Sequence, residues 1–245
     1  MTHETVTYDA DEQGRSVHNS TDPLLAIGTG SKTKTDRHQL LGTSWYSGTV
    51  KRIFDLSCAT IGLVLLLPLL LLIACAVKLT SKGPVFFQQE RQGLNGKPFP
   101  VFKFRTMYSH LCDQSGVEQT IKDDPRITLV GRFLRKSNFD ELPQLLNVIR
   151  GEMSLVGPRP HAAGMLAAGQ PYEEFDPRYK NRLKVRPGIT GLAQVNGFRG
   201  ETKDAFAARM RLEYDLQYIE TQSLWLDVKI IALTFLREFV GGRGY

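Results

Sequence analysis

The strongest feature of the hydropathy pattern is one long apolar run that begins about fifty residues into the chain. No charged residue occurs between Leu56 and Val77, a stretch of 22 residues. As an α-helix this stretch would be about 33 Å long, which is enough to cross the hydrocarbon core of a bilayer. Pro68 lies near its centre and predicts a bend or a break, because proline lacks an N–H and clashes with the preceding turn. The pattern therefore predicts a membrane-embedded helix over residues 49–82, bent at Pro68.

The charges on either side of this run bear on its topology. Residues 31–55 contain five Lys and Arg residues, and residues 78–105 contain six. Because basic flanks tend to stay on the cytoplasmic side, two nearly equal flanks favour a re-entrant helix that enters and leaves by the same face. A helix that spans the bilayer is the alternative, and it would leave one basic flank on the outer side.

Shorter patterns predict the secondary structure that follows. Runs rich in Val and Phe near 85–90 and 99–106 are separated by Asn95-Gly96, which predicts a β-hairpin. Lys103 and Arg105 would share one face of its second strand, since strand side chains alternate.

Two amphipathic helices are predicted over 203–220 and 223–240 from apolar positions at helical spacing. The second carries Trp225 and would pack as core or lie among the lipid headgroups. The predicted fold class is α+β and mainly helical, with a re-entrant membrane helix, a small β-hairpin and amphipathic interfacial helices.

Composition and charge add a domain organisation and a class of partner. Residues 1–48 are polar and without a sustained period, which predicts a disordered tail, and residues 83–245 would form the catalytic domain. The net charge of +6 is uneven, because residues 1–50 carry −2 and the rest +8. A basic body indicates an anionic partner, whether nucleic acid, anionic lipid or a phosphorylated substrate. The three cysteines have no C-x-x-C spacing, which argues against a zinc site or a disulfide framework.

The candidate chemistry is concentrated between Gly131 and Pro160. Asp140 and Glu141 stand side by side at the start of a helical pattern that Gly151 would end. Pro158-Arg159-Pro160 forms a rigid corner with one fixed guanidinium. Carboxylates between arginines indicate a site for a metal ion and phosphate groups. An aspartate near a helix start is more commonly a cap, so Asp140 taken alone leaves both interpretations open.

Two basic, glycine-bearing loops at 184–191 and 196–200 could place backbone N–H groups against a phosphate. Neither has the G-x-x-x-x-G-K-[ST] pattern, so P-loop chemistry is not supported.

These motifs together resemble the bacterial sugar transferase family, the monotopic polyprenyl-phosphate phosphoglycosyl transferases. The resemblance covers residues 51–245. One position departs from the family pattern, because Leu67 precedes Pro68 where the family commonly has serine. The blocks that carry the resemblance are KRIFD, FKFRTM, DDPRIT, GRFLRKSNFDELPQLLNVIRGEMSLVGPRP, VRPGITGLAQVNG and LEYDLQYI.

The resemblance implies transfer of a sugar-1-phosphate from a UDP-sugar to undecaprenyl phosphate, with Mg²⁺ and release of UMP. The enzyme would lie in the inner membrane with its catalytic domain on the cytoplasmic face. Its partners would be these two substrates, membrane lipid and other polysaccharide-assembly proteins, with no nucleic acid.

The resemblance also implies roles for particular residues. Asp140 would be the nucleophile that forms a phospho-aspartyl intermediate, and Asp140 and Glu141 would bind Mg²⁺. The residues expected to bind or stabilise the phosphates and the nucleotide are Lys103, Arg135, Pro158, Arg159, Pro160 and Arg186.

The sequence also bears on the identity of the donor sugar and on two alternative functions. GLAQVNGFRGET and PRPHA favour glucose, whereas the small size of the chain resembles galactose-transferring starters; glucose is preferred. A glycosidase needs its two carboxyls at least about 5 Å apart across a bond, which adjacent residues suit poorly. A non-catalytic membrane scaffold is the alternative from another class, and it would tolerate loss of Asp140 and Glu141.

Overall fold

The computed structural model describes residues 46–111, 124–200 and 202–240. The predicted tail lies outside this part of the chain except for its last residues, so disorder there stays a prediction. A π-helical turn, Tyr46–Val50, leads directly into helix α1, Lys51–Thr80. Among the described residues, one helix, Gly48–Thr80 with this turn included, is long and apolar enough to cross a membrane, with a mean hydropathy of 2.8.

Helix α1 continues through Pro68 without interruption, so the chain does not break there. The bend and the re-entrant topology stay predictions. The buried positions of α1 lie on one face, and the other face exposes Leu65 and Leu72 by 74% and 67%. Both ends of the buried face rest on the rest of the fold: Ala59 packs in one apolar cluster and Val77 in another.

A β-hairpin follows α1, as predicted, with strands β1, Phe86–Gln92, and β2, Pro98–Phe104. The turn contains Asn95 with a φ of 56° and Gly96 with a φ of 74°. The predicted shared face of Lys103 and Arg105 is wrong, because β2 ends before Arg105. That guanidinium instead donates to the carbonyls of Ser81 and Lys82 at the end of α1.

The next helix, α2, spans Leu129–Ser137 and was not predicted. Thr128 caps its N-terminus: the Thr128 hydroxyl accepts a hydrogen bond from the Gly131 amide at 2.9 Å. It packs directly on the end of the hairpin, since a Cβ on Gly131 would lie 2.0 Å from the Thr106 carbonyl oxygen.

The two carboxylates lie in a separate 3₁₀ turn, Phe139–Glu141, rather than in the first turn of a helix as predicted. Asn138 ends α2 in the left-handed conformation, and helix α3, Gln144–Arg150, begins only after Pro143. Gly151 ends α3 with a φ of 86°, as predicted.

The remaining elements form the base of the fold. Strand β3, Ser154–Val156, pairs in parallel with β6, Gly188–Thr190. The predicted amphipathic helices are present as α6, Ala205–Thr221, and α7, Leu224–Val240. Between these elements lie β4 (Leu166–Ala167), β5 (Gln170–Pro171), α4 (Tyr172–Phe175), a 3₁₀ helix (Pro177–Lys184) and α5 (Leu192–Val195).

The described chain is therefore mainly helical with small sheets, as predicted. Helix α7 buries Asp227 and Ile230 but exposes 77% of Trp225 and 59% of Phe235. One of its faces packs as core, and the position of the other face in a membrane interface stays a prediction.

Candidate active site

The two adjacent carboxylates occupy the turn between α2 and α3, and the structure surrounds them with basic side chains. Asp140 and Glu141 are each only 8% exposed. The left-handed residue Asn138 precedes the turn, and its carbonyl accepts a hydrogen bond from the Glu141 amide at 3.2 Å. A tight turn of this kind fixes both carboxylates relative to the backbone.

Glu141 is bound by three cations. Arg159 donates to both of its oxygens, from Nη2 to Oε1 at 2.6 Å and from Nη1 to Oε2 at 3.1 Å. Lys103 Nζ donates to Oε1 at 2.8 Å. Arg199 Nη2 lies 3.6 Å from Oε2. Because a carboxylate has about four lone-pair positions, the three hydrogen bonds from Arg159 and Lys103 use most of its accepting capacity.

Asp140 is in the opposite situation. Within the described part of the chain, no group donates a hydrogen bond to its carboxylate. Lys103, Arg135 and Arg159 are near enough to act on it by charge alone. A buried carboxylate without hydrogen bonds is costly, and such groups are commonly reactive ones.

Burial and charge separate the pKa values of the two neighbours. Burial raises the pKa of Asp140, and the opposing charges of Lys103, Arg135 and Arg159 do not cancel this effect, to which Glu141 adds. Burial would also raise the pKa of Glu141, but Arg159 and Lys103 outweigh it and hold that pKa well below its usual range. Pairs of carboxylates whose environments divide them in this way are typical of catalytic sites.

The Pro158-Arg159-Pro160 corner is held in place by the base of the fold. Gly157 donates from its amide to Thr190 O at 2.9 Å, and a Cβ on Gly157 would lie 2.6 Å from Arg186 O. The buried guanidinium of Arg182 donates to Arg159 O at 2.7 Å. Its charge is balanced by buried Asp215, 2.9 Å away. The corner therefore presents the Arg159 side chain to Glu141 from a fixed backbone.

Two further predicted site residues take different positions. Arg135 donates from Nε to Thr106 Oγ1 at 2.8 Å, which holds its charge on the Asp140 side of the turn. Arg186 donates from Nε to Gly151 O at 2.8 Å, at the end of α3. Its role in phosphate binding stays a prediction, because the structure shows it bound to that carbonyl rather than to Asp140 or Glu141.

Sequence reasoning missed two cations of this site. Arg199 was noted only as part of a basic loop, yet it donates to Asn138 Oδ1 at 2.6 Å and pairs with Glu141. Arg91 acts by charge on Arg159 and Glu141 from strand β1. The signal that could have found Arg91 is its position in the hairpin that carries Lys103, four residues before the turn.

The two carboxylates of the turn are better suited to supply one protein ligand to Mg²⁺ than two. Mg²⁺ commonly takes one or two carboxylates and completes its coordination with water and substrate phosphates. Asp140 has the capacity to do this, whereas Glu141 would first have to give up a cation. Among the residues that the structure describes, no group of three or more His, Cys, Asp and Glu side chains could hold a metal ion without such a substrate.

Comparison with known proteins places this site in a family. The family model for bacterial sugar transferases matches residues 46–241. The chain is 50% identical over 225 residues to an undecaprenyl-phosphate glucose phosphotransferase from Komagataeibacter xylinus, a match that covers 91% of this chain and 41% of the relative. It is 50% identical over 196 residues to the exopolysaccharide production protein PSS of Rhizobium leguminosarum bv. phaseoli, covering 80% of this chain and 98% of the relative.

A third relative is a UDP-glucose:undecaprenyl-phosphate glucose-1-phosphate transferase from Klebsiella pneumoniae. It is 49% identical over 195 residues, and the match covers 80% of this chain and 41% of the relative. The chain thus spans about two fifths of the two relatives named for glucose transfer and nearly all of the Rhizobium protein. The match to the family model extends over most of the chain and includes every residue of the site described above. The chain belongs to the bacterial sugar transferase family.

Proposed function

We propose that this protein transfers glucose-1-phosphate from UDP-glucose to undecaprenyl phosphate and releases UMP. The observation that carries the proposal is the contrast between the two carboxylates: Asp140 has no hydrogen-bond donor among the described residues, and Glu141 is neutralised by three cations. The names of the relatives support the two substrates, and family membership supports the class of reaction.

In the first half of the reaction, a carboxylate oxygen of Asp140 attacks the phosphorus that bears the sugar. The bond from that phosphorus to the bridging oxygen breaks, and UMP leaves with the bridging oxygen and its electron pair. The raised pKa of Asp140 suits this role, because a more basic carboxylate is a stronger nucleophile. Arg159 and Lys103 stabilise charge on the diphosphate.

In the second half, an oxygen of undecaprenyl phosphate attacks the same phosphorus. The bond to Asp140 breaks, the carboxylate is regenerated, and undecaprenyl-diphosphate-glucose is formed. Dividing one displacement into two lets a single site serve two phosphorylated substrates in turn. Glu141 holds Lys103, Arg159 and Arg199 together throughout, as a positioning residue.

Mg²⁺ belongs to this proposal as a second source of positive charge. When bound with the donor, it would neutralise the diphosphate, and Asp140 would be its protein ligand, with Glu141 as a ligand only if a cation moves away. The basic side chains of the protein would supply the rest of the positive charge, since they already surround the turn.

The protein would act at the cytoplasmic face of the inner membrane, with α1 embedded as a re-entrant helix. Both ends of α1 contact the same catalytic body: Arg52 donates to Val148 O at 2.6 Å, and Arg105 donates to Ser81 O at 2.8 Å. This supports keeping both flanks on one side. Cysteines introduced at Thr49 and Lys82 should resist a membrane-impermeant reagent applied to intact cells, and labelling of either one would contradict the re-entrant form.

The donor sugar and the reaction are tested together by one assay. Purified protein is supplied with undecaprenyl phosphate and each of UDP-glucose, UDP-galactose and UDP-N-acetylgalactosamine, and UMP release is measured. We expect the highest kcat/KM with UDP-glucose. Higher turnover of UDP-galactose would correct the donor, and the absence of UMP with every donor would favour a non-catalytic scaffold.

A further inference from the structure

Arg91 is a basic residue of the site to which the mechanism above gives no task. The register of the hairpin pairs Arg91 with Phe99 and Phe87 with Lys103. Directly opposed side chains in an antiparallel pair project to the same face, and so do residues two or four apart on one strand. Arg91 and Lys103 therefore lie on the same face of the hairpin, the face that Lys103 presents to Glu141.

The end of β1 that carries Arg91 is fixed beside the Pro158-Arg159-Pro160 corner. The amide of Gln92 donates to His161 O at 2.9 Å, directly after the corner. The side-chain oxygen of Gln92 accepts a hydrogen bond from Tyr179 OH at 3.2 Å. Because Gln92 directly follows Arg91, these two contacts hold the backbone of Arg91 close to the Pro158-Arg159-Pro160 corner.

Arg91 has no carboxylate partner among the described residues. Its one hydrogen bond there goes from Nη2 to the Gln89 side-chain oxygen. Arg182, by contrast, is paired with Asp215. Burial and the neighbouring charge of Arg159 lower the pKa of Arg91 to about 10, so it is still a cation at neutral pH. A partly buried cation without an acidic partner gains most from an anionic ligand.

The same cation, Arg159, acts by charge on both the turn and strand β1. Asp140 is influenced by Lys103, Arg135 and Arg159, and Arg91 is influenced by Arg159 and Glu141. Arg159 is therefore near enough to act by charge on both Asp140 and Arg91. Arg91 shares with Lys103 the hairpin face that meets the turn, so a diphosphate whose sugar-bearing phosphorus is at Asp140 would meet Arg91 with its second phosphate where it follows this face.

We propose that Arg91 binds the nucleotide-side phosphate of the donor, the group that leaves as UMP, and stabilises the charge that develops on it. This assignment rests on the proposed function. It makes Arg91 a binding residue for the leaving group and gives it no part in binding the lipid phosphate.

The test compares the full-length Arg91→Gln and Arg91→Lys variants with wild type and with Glu90→Gln, whose side chain is exposed on the other face of β1. The inhibition constant of UMP as a product inhibitor is measured, together with KM for undecaprenyl phosphate. We expect Arg91→Gln to raise the UMP inhibition constant about 10- to 100-fold, the range for losing a charge-assisted hydrogen bond. Arg91→Lys should raise it by a smaller factor, and Glu90→Gln should match wild type.

The outcomes of this test decide whether Arg91 binds the nucleotide-side phosphate. Wild-type inhibition constants in both Arg91 variants, or a change confined to KM for undecaprenyl phosphate, would overturn it. If Arg91→Gln does not fold, Arg91→Lys alone decides, since it keeps the charge but loses the planar fork. The absence of UMP release by wild type with every donor would contradict the proposed function instead, and direct calorimetric binding of UMP to wild type and Arg91→Lys would then test Arg91 separately.

Discussion

Arg159 donates hydrogen bonds to the Glu141 carboxylate from both terminal nitrogens of its guanidinium, at 2.6 and 3.1 Å. The neighbouring carboxylate of Asp140 receives no hydrogen bond from the described residues. In the proposed mechanism the two adjacent acids of this turn have separate tasks: Glu141 holds the three cations in position, and Asp140 is the nucleophile. This division yields predictions for stability, pH dependence and catalysis.

Removing the charge of Glu141 should destabilise the protein, whereas removing the charge of Asp140 should not. Glu141→Gln leaves three cations without their anion and should lower the free energy of unfolding by about 3–5 kcal/mol. Asp140→Asn removes a buried charge whose ionisation the fold disfavours, so stability should stay the same or rise. Thermal unfolding of both variants in one detergent measures this, and a larger loss in Asp140→Asn would contradict the assignment of roles.

The pH profile of the first half-reaction should report on Asp140. Because only the ionised carboxylate attacks, the rate should fall as the pH drops through its pKa, which lies above the ordinary value of 3.8. Undecaprenyl phosphate is a phosphate monoester and titrates near pH 6 itself. UMP release is therefore measured without it, so that the pH profile reports on the first step alone. An acid limb at or below 3.8 would show that Asp140 is not perturbed in this way.

Acid stability should follow the other carboxylate. The pKa of Glu141 lies well below 4.5 in the folded protein, so its stabilisation is present above pH 4.5 and is lost as the pH falls through the folded value. Circular dichroism of wild type and Glu141→Gln over this range measures it. Their stabilities should converge at low pH, and a constant difference would exclude Glu141 as the source.

Helix α2 should depend on Gly131. In Gly131→Ala, the new Cβ would lie 2.0 Å from Thr106 O, a backbone atom that cannot move away alone. We expect a loss of about 1–3 kcal/mol in stability, together with a drop in kcat as Arg135 moves with α2. Gly62→Ala is the matched control, since its Cβ would make an ordinary 3.8 Å contact with Leu145. Equal stability of both variants would contradict the close approach.

Arg182 and Asp215 should support catalysis from behind the Pro-Arg-Pro corner. Asp215→Asn leaves a buried guanidinium unpaired and should cost about 3–5 kcal/mol. The double variant Arg182→Met with Asp215→Leu should regain stability but not kcat, because Arg159 O loses its donor at 2.7 Å. Full recovery of kcat in the double variant would show that Arg182 does not position Arg159.

Local patterns were sufficient to predict the long elements. Helices α1, α6 and α7 each carry apolar residues over many turns, and the hairpin is specified by Asn95-Gly96 between two apolar runs. Helix α2 was missed because it is short and leaves two of its apolar residues, Leu129 and Phe133, 84% and 62% exposed, although it buries Leu134. Thr128 and its contact with the hairpin specify it instead.

The candidate site was predicted in part for a similar reason. Lys103, Asp140, Glu141 and Arg159 belong to recognisable motifs, and the structure brings them together. Arg199 reaches the site only through tertiary packing, which no spacing in the sequence reports, whereas Arg91 could have been found from its place in the hairpin that carries Lys103. The parallel pairing of β3 with β6 is also invisible in the sequence, because three-residue strands are too short to show a period.

The central claim is that Asp140 carries the sugar phosphate during turnover. Wild type and Asp140→Asn are mixed with UDP-glucose labelled in the sugar, without undecaprenyl phosphate, and denatured rapidly. We predict that wild type releases one UMP per active site and retains the label on the peptide that contains Asp140, while Asp140→Asn does neither. Turnover without a labelled protein, or turnover by Asp140→Asn at the wild-type rate, would contradict the account.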